Sequence, residues 1–158
     1  MNKPEIWVLL NNIRSSHNVG SIFRTSDAIS VSKIFLSGYT PAPIDRFKRP
    51  VREIAKTALG AEMTIPWAQF ENAVDVIREA RDNGFEIVGI EQSDISIDYK
   101  DFVPSNKILI IMGEEVNGIS EDILNECDKI LEIPMMGNKE SLNVSVAYGV
   151  IMYRLFDR

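Results

Sequence analysis

Ile133-Pro134-Met135-Met136-Gly137-Asn138-Lys139-Glu140-Ser141-Leu142-Asn143-Val144-Ser145-Val146-Ala147 reads as the end of a β-strand, a tight polar loop and the first turn of a helix. Ser141, Asn143 and Ser145 crowd the helix start. Such a start offers free backbone N–H groups beside short hydrogen-bonding side chains. It can serve a ligand or cap a buried helix, and both readings stay open at this point. Beyond it, Val146 to Phe156 is almost wholly apolar: Val144, Val146, Val150, Ile151, Met152, Tyr153, Leu155 and Phe156 do not fit on one stripe. In a domain this small, that pattern points to a second face buried against another subunit, with full burial in one chain as the alternative.

Upstream, apolar runs alternate with helical patterns. Glu5–Leu10, Lys33–Leu36, Met63–Pro66, Phe85–Ile90, Lys107–Met112 and Lys129–Ile133 read as strands, with Pro66 placing the third at an edge or an end. Asn18–Ile29 reads as a helix capped by Asn18, and Val51–Leu59 as a short helix. Gln69–Asn83 reads as an amphipathic helix marked by Phe70, Val74, Ile77 and Arg81 and ended by Gly84. Ser120–Cys127 reads as a short helix capped by Ser120, and the last helix begins near Leu142. This alternation predicts an α/β fold, a mainly parallel sheet with helices on both faces, in one domain over residues 1–158. Ligands of such sheets sit beyond the carboxyl ends of the strands.

Composition is that of a globular protein, 45% hydrophobic and 25% charged over 158 residues. The N-terminus has no signal-like segment, and Leu142–Phe156 is too short and too interrupted to span a membrane. Cys127 is the only cysteine, which excludes an intrachain disulfide and suits a cytoplasmic location. One histidine and scattered carboxylates supply no metal site. The net charge of −6 hides an asymmetry: residues 1–60 hold nine Lys/Arg and four Asp/Glu, and residues 61–158 hold eight and nineteen. The basic charge is densest at Arg46-Phe47-Lys48-Arg49-Pro50-Val51-Arg52, followed by Lys56. Such a patch can track phosphates, or it can be a solvated loop.

Three polar loops follow three strands. In the first, Arg24 sits beyond the apolar run Val19–Phe23 and needs an anion, either a ligand's phosphate or Asp27 three residues on. His17 is a candidate base or a structural polar residue. The second, Met112–Ser120, brackets Glu114 and Glu115 with Gly113 and Gly118. It lacks the Gly-Lys-Ser/Thr ending of a phosphate loop, and the chain lacks a Gly-x-Gly-x-x-Gly fingerprint. Acidic residues there suit a ligand with a cationic or neutral polar end. In the third, Ser141 is a candidate reactive hydroxyl.

Taken in order, Asn18-Val19-Gly20-Ser21-Ile22-Phe23-Arg24-Thr25, Ile111-Met112-Gly113-Glu114-Glu115-Val116-Asn117-Gly118 and Ile133-Pro134-Met135 through Ser141-Leu142-Asn143-Val144-Ser145 resemble the three motifs of the SpoU (TrmH-like) branch of the SPOUT RNA methyltransferases. The resemblance spans about Glu5 to Phe156. It implies a sheet whose C-terminal part is tied in a deep trefoil knot, S-adenosylmethionine as cofactor, a homodimer, and methylation of a ribose 2′-hydroxyl of tRNA or rRNA. By motif position, Asn18, Arg24, Glu115, Ser141 and Asn143 match the family's active-site residues. The donor pocket is implied around Ile90, Gly113 and Ile133, with Ser141 and Leu142 beside them. The chain has no room for the extra RNA-binding domain many members carry, so RNA recognition falls to Arg14, Arg46, Lys48, Arg49, Arg52 and the dimer partner. Ser30 stands where relatives often have glycine after the first helix.

Overall fold

In the run Lys107–Met112, Ile108, Ile110 and Met112 turn to one apolar layer while Leu109 and Ile111 turn to the other, and all five are buried. The same period of two divides Ile6, Val8 and Leu10 from Leu9 in the neighbouring strand. A strand buried on both faces reads as an unbroken apolar run, which is why these two were the plainest in the sequence.

The computed structural model describes residues 2–157. They form strands β1 (Glu5–Asn11), β2 (Lys33–Ser37), β3 (Trp67–Phe70), β4 (Glu86–Ile90), β5 (Ile97–Asp98), β6 (Lys107–Met112) and β7 (Lys129–Glu132). All pair in parallel, in the order β3-β2-β1-β6-β4-β7-β5. Helices are α1 (Ser16–Ala28), α2 (Arg52–Ala58), α3 (Ala61–Thr64), α4 (Ala73–Asp82), α5 (Glu121–Leu124) and α6 (Val144–Phe156). One layer packs Val19, Ile22 and Phe23 of α1, Ile54 of α2 and Tyr148, Ile151 and Met152 of α6 on the sheet. The other packs Val76, Ile77 and Ala80 of α4 and Ile123 of α5. The α/β expectation with helices on both faces therefore holds.

Several local expectations move. The Met63–Pro66 stretch is not a strand: Ala61–Thr64 coils into α3, and the edge strand begins just after Pro66. Gln69 and Phe70 consequently belong to β3, and α4 starts at Ala73. Its buried side is Ala73, Val76, Ile77 and Ala80, whereas Val74 is exposed. Gly84, at φ +81, ends that helix as expected. Ser15, not Asn18, caps α1, its side chain accepting from the Asn18 N–H. Ser120 holds the cap position of α5 without a side-chain bond, and α5 stops at Leu124. The two-residue β5, held only by β7, has no counterpart in the sequence reading.

The chain runs outward through β1, β2 and β3, then crosses to the other side of β1 for the remaining strands. That reversal falls between β1 and β6, and the loops beyond the carboxyl ends of β4, β6 and β7 wall a crevice beside it.

Candidate functional site

Asn143 closes the loop that leaves β7 and caps α6. Its Oδ1 accepts from the N–H groups of Ser145 (2.9 Å) and Val146 (3.3 Å) and from the Ser145 hydroxyl (2.6 Å). Its Nδ2 then donates to Asn18 Oδ1 at 3.2 Å. The Asn18 Nδ2 donates onward to Glu115 Oε1 at 3.3 Å. One amide thus caps a helix and ties the third loop to the first, and a second amide ties the first to the second. The opening segment is cap and cross-link at once.

Glu115 is the terminus of this chain of bonds. It also accepts from the backbone N–H of Arg14 and of Ser15, each at 3.2 Å. Partial burial pushes its pKa up, but bonds from its own backbone, Arg14, Ser15 and Asn18 outweigh that and hold it below the usual glutamate value. Buried Glu114 accepts from the Asn117 N–H at 3.2 Å and lies 3.7 Å from the Arg14 guanidinium. Glu91, just past β4, accepts from the Ile119 N–H (2.9 Å) and the Gln92 N–H (2.9 Å). The Gln92 side chain donates to the Glu140 carbonyl at 2.7 Å. Two glycines make this closeness possible. A Cβ on Gly113 would lie 2.6 Å from backbone atoms of Gly118 and Ile119, and one on Gly118, at φ +67, would fall on the Glu91 carboxylate.

These loops enclose a cavity of about 400 Å³. Ile90, Gly113, Ile133, Ser141 and Leu142, the residues expected around a donor pocket, all line it, as do Glu115 and Asn143. Asn18 reaches it through its bonds to those two. Arg24 does not line it: it is exposed on α1, and among the described residues its side chain makes no hydrogen bond or ion pair. The alternative pairing with Asp27 does not form; Asp27 instead accepts from Thr64 at 3.4 Å. His17 is exposed, and its carbonyl accepts from the Thr57 hydroxyl at 3.0 Å. Sequence reasoning missed Glu91 and Gln92, although two polar residues directly after an apolar strand were the available signal.

Among the basic candidates, Arg49 pairs with Asp45 at 3.1 Å, and Arg46, Lys48 and Arg52 are exposed. Along α6, Tyr148 is buried and shares a 2.6 Å hydrogen bond with Ser26 of α1. Val146, Val150 and Tyr153 remain exposed, so one chain does not cover the helix on every side. Among the described residues no helix is long and apolar enough to cross a membrane.

Residues 5–153 match the family model of the SpoU rRNA Methylase family. The chain is 33% identical over 149 residues to a Staphylococcus aureus (strain COL) protein assigned to the TrmH family of tRNA/rRNA methyltransferases, which covers 94% of this chain and 57% of that protein. The chain thus spans little more than half the length of that relative. Its fold superposes on an AdoMet-bound rRNA methyltransferase from Sinorhizobium meliloti with a TM-score of 0.85 and 30% identity, over 97% of this chain and 56% of the other. It superposes on the A. aeolicus TrmH/SpoU tRNA modifying enzyme with a TM-score of 0.83 and 27% identity, over 97% and 74%.

Proposed function

The chain belongs to the SpoU rRNA methylase family, and on that premise we propose that residues 1–158 form a catalytic domain that methylates a ribose 2′-hydroxyl of cytoplasmic tRNA or rRNA. The carrying observation is the bonded series Glu115–Asn18–Asn143 at the edge of a cavity walled by three separate loops. S-adenosylmethionine, the cofactor of this reading, supplies an electrophilic methyl group on a positively charged sulfur. The cavity has the size of a small-molecule site. Ile90, Ile133 and Leu142 offer apolar walls, and Glu91, Glu114 and Glu115 make the surroundings negative. Gly113 and Gly118 let backbone approach a ligand without side-chain bulk.

The protein's own residues then divide the work. Asn18 and Asn143 hold Glu115 and the α6 start in fixed relation, so the floor of the site needs no reorganisation on binding. Ser141 is exposed at the cavity wall, where its hydroxyl would accept a hydrogen bond from the ribose 2′-hydroxyl and pass its own proton to a substrate phosphate oxygen as the methyl–sulfur bond breaks and the methyl–oxygen bond forms. A guanidinium is a donor with no acceptor atom, so the part of Arg24 is to anchor phosphate and stabilise charge.

A homodimer fits the exposed Val146, Val150 and Tyr153 of α6. The Ser26–Tyr148 bond fixes α1, the helix carrying Arg24, against α6. The same reading takes the segment after β4 as the part tied in a trefoil knot. Its support is that β6 and β7 insert on either side of β4 while the Gln92 loop bonds the Glu140 loop.

The test is incubation of the purified protein with methyl-labelled S-adenosylmethionine and bulk tRNA or rRNA lacking its own marks, followed by nucleoside analysis. Label in a 2′-O-methyl nucleoside is the expected result. Label confined to a base would place the chemistry elsewhere on the nucleotide. An absence of both cofactor binding and transfer would leave only a non-catalytic RNA-binding role.

A further inference from the structure

The loop leaving the carboxyl end of β2, from Gly38 to Val51, holds out two aromatic rings: Tyr39 is 52% exposed and Phe47 61%. Each lies against a cation. The Arg14 guanidinium is 5.4 Å from the Tyr39 ring centre, and those of Arg46 and Arg49 are 4.7 and 4.9 Å from that of Phe47. The loop is built rather than slack. Asp45 accepts from the N–H groups of Phe47 (2.8 Å) and Arg49 (3.0 Å) and from Arg49 Nε (3.1 Å), while its own N–H donates to the Arg49 carbonyl. Ile44 and Pro50 bridge its two arms. A ring held in solvent by such a frame contributes little to the core.

The two cations at Phe47 are not equivalent. Arg49 is committed to Asp45, whereas Arg46 makes no hydrogen bond or ion pair among the described residues. A flat base can take the place of Arg46 on the ring and release that guanidinium to the next phosphate. Interleaved aromatic and cationic side chains are what single strands bind, because every unpaired base offers a stacking face. A duplex keeps those faces inside and is contacted by its backbone and groove.

Position supports the same ligand. In a parallel sheet the β2 and β6 exits lie on one edge, two strand spacings or roughly 10 Å apart. The Tyr39 N–H donates to Asn12 Oδ1, and Arg14 beside that ring joins the Glu115 network through its backbone. A strand of nucleotides could therefore run from the cavity over Tyr39 to Phe47.

We propose that Tyr39 and Phe47 stack unpaired bases of the RNA substrate, with Arg14 and Arg46 on the flanking phosphates, so that the substrate is a loop or single-stranded segment. The proposal rests on the methyltransferase reading above. Its test uses the full chain with an RNA of about 12 nucleotides, within the range of single-strand sites, alone and annealed to its complement. Wild type should prefer the single strand. Phe47→Ala and Tyr39→Ala should each weaken that binding about tenfold, the range of one lost stacking contact. Phe47→Tyr and Tyr39→Phe should restore it, with S-adenosylmethionine binding unchanged throughout. Equal binding by the alanine variants, equal loss on both RNAs, or a wild type that binds neither RNA would overturn it. Methyl transfer to bulk RNA, measured in parallel, separates the two readings: transfer by wild type and Phe47→Ala with the same KM sinks only the stacking, and no transfer by wild type sinks the enzyme.

Discussion

Glu91, Glu114 and Glu115, beside the cavity, each accept at least one backbone N–H, whereas the side chains of Arg46, Lys48, Arg52 and Lys56 make no hydrogen bond or ion pair among the described residues. The acidic region spends its charge on its own loops. The basic region leaves its charge open to solvent. The net charge of −6 therefore describes neither surface: the carboxylates nearest the site act largely as struts, and the cations are the uncommitted charge. An anionic partner is repelled less than the total suggests, because phosphate contacts act locally.

The sharpest way to break the comparison is to separate the two regions. Gly20 of α1 lets α2, which follows the basic loop, pack closely; a Cβ there would fall on Thr57 Oγ1 and the Ile54 carbonyl oxygen. Gly20→Ala should destabilise by about 3 kcal/mol through overpacking, more than the roughly 1 kcal/mol alanine gains in a helix. Chemical denaturation measures the sign directly.

A smaller effect tests the struts. Glu115→Ala leaves the Arg14 and Ser15 N–H groups and the Asn18 amide without their acceptor, at about 1–3 kcal/mol, and should lower cofactor affinity with it. Acid should mimic the change. The folded pKa of Glu115 lies below the ordinary value of 4.5, so its contribution is present above that pH and is lost as pH falls through the lower folded value. Protection factors at the Arg14 and Ser15 amides, taken against the intrinsic exchange rate at each pH, that do not fall in acid would contradict the strut role.

For the uncommitted cations, Arg52→Ala and Lys56→Ala should leave the melting temperature almost unchanged. The slope of log binding against log salt for RNA should fall by about 0.7–0.9 for each contact to phosphate that is lost. An unchanged slope would return this face of α2 to the status of solvated surface. The smallest expected change is at Ser30, which sits at φ +61 directly after α1. Ser30→Gly should raise stability by about 0.5–1 kcal/mol in thermal melts, because glycine adopts that conformation without a Cβ penalty.

Strands buried on both faces were legible because an apolar run of five, as in Ile108–Met112, allows few other readings. Ala61–Phe70 was not: Met63, Ile65, Trp67 and Phe70 fit either period, and Pro66 marked the border without saying which side was the strand. Ile97–Asp98 has no pattern at all, since its two residues are strand only by pairing with β7. At the site, motif order placed Asn18, Glu115 and Asn143 together, and the structure bonds them in series. Helical spacing suggested Asn18 as a cap, but the cap fell to Ser15 because the Asn18 amide is taken up across the loops. Arg24 is the reverse case. Asp27 stood at a suitable distance along the helix, yet no bond forms, because neighbours at i and i+3 still require both side chains to turn the same way.

The bonds that assemble the cavity join residues 97, 101 and 125 positions apart in the chain. Contacts of such long range form late and make folding slow. During synthesis, β1, α1 and β2 can be complete while the acceptor of Asn18 and the donor from Asn143 are still untranslated. A newborn chain is therefore unable to hold a small molecule at this site until Asn143 has left the ribosome, so ligand binding itself reports that the three loops have come together.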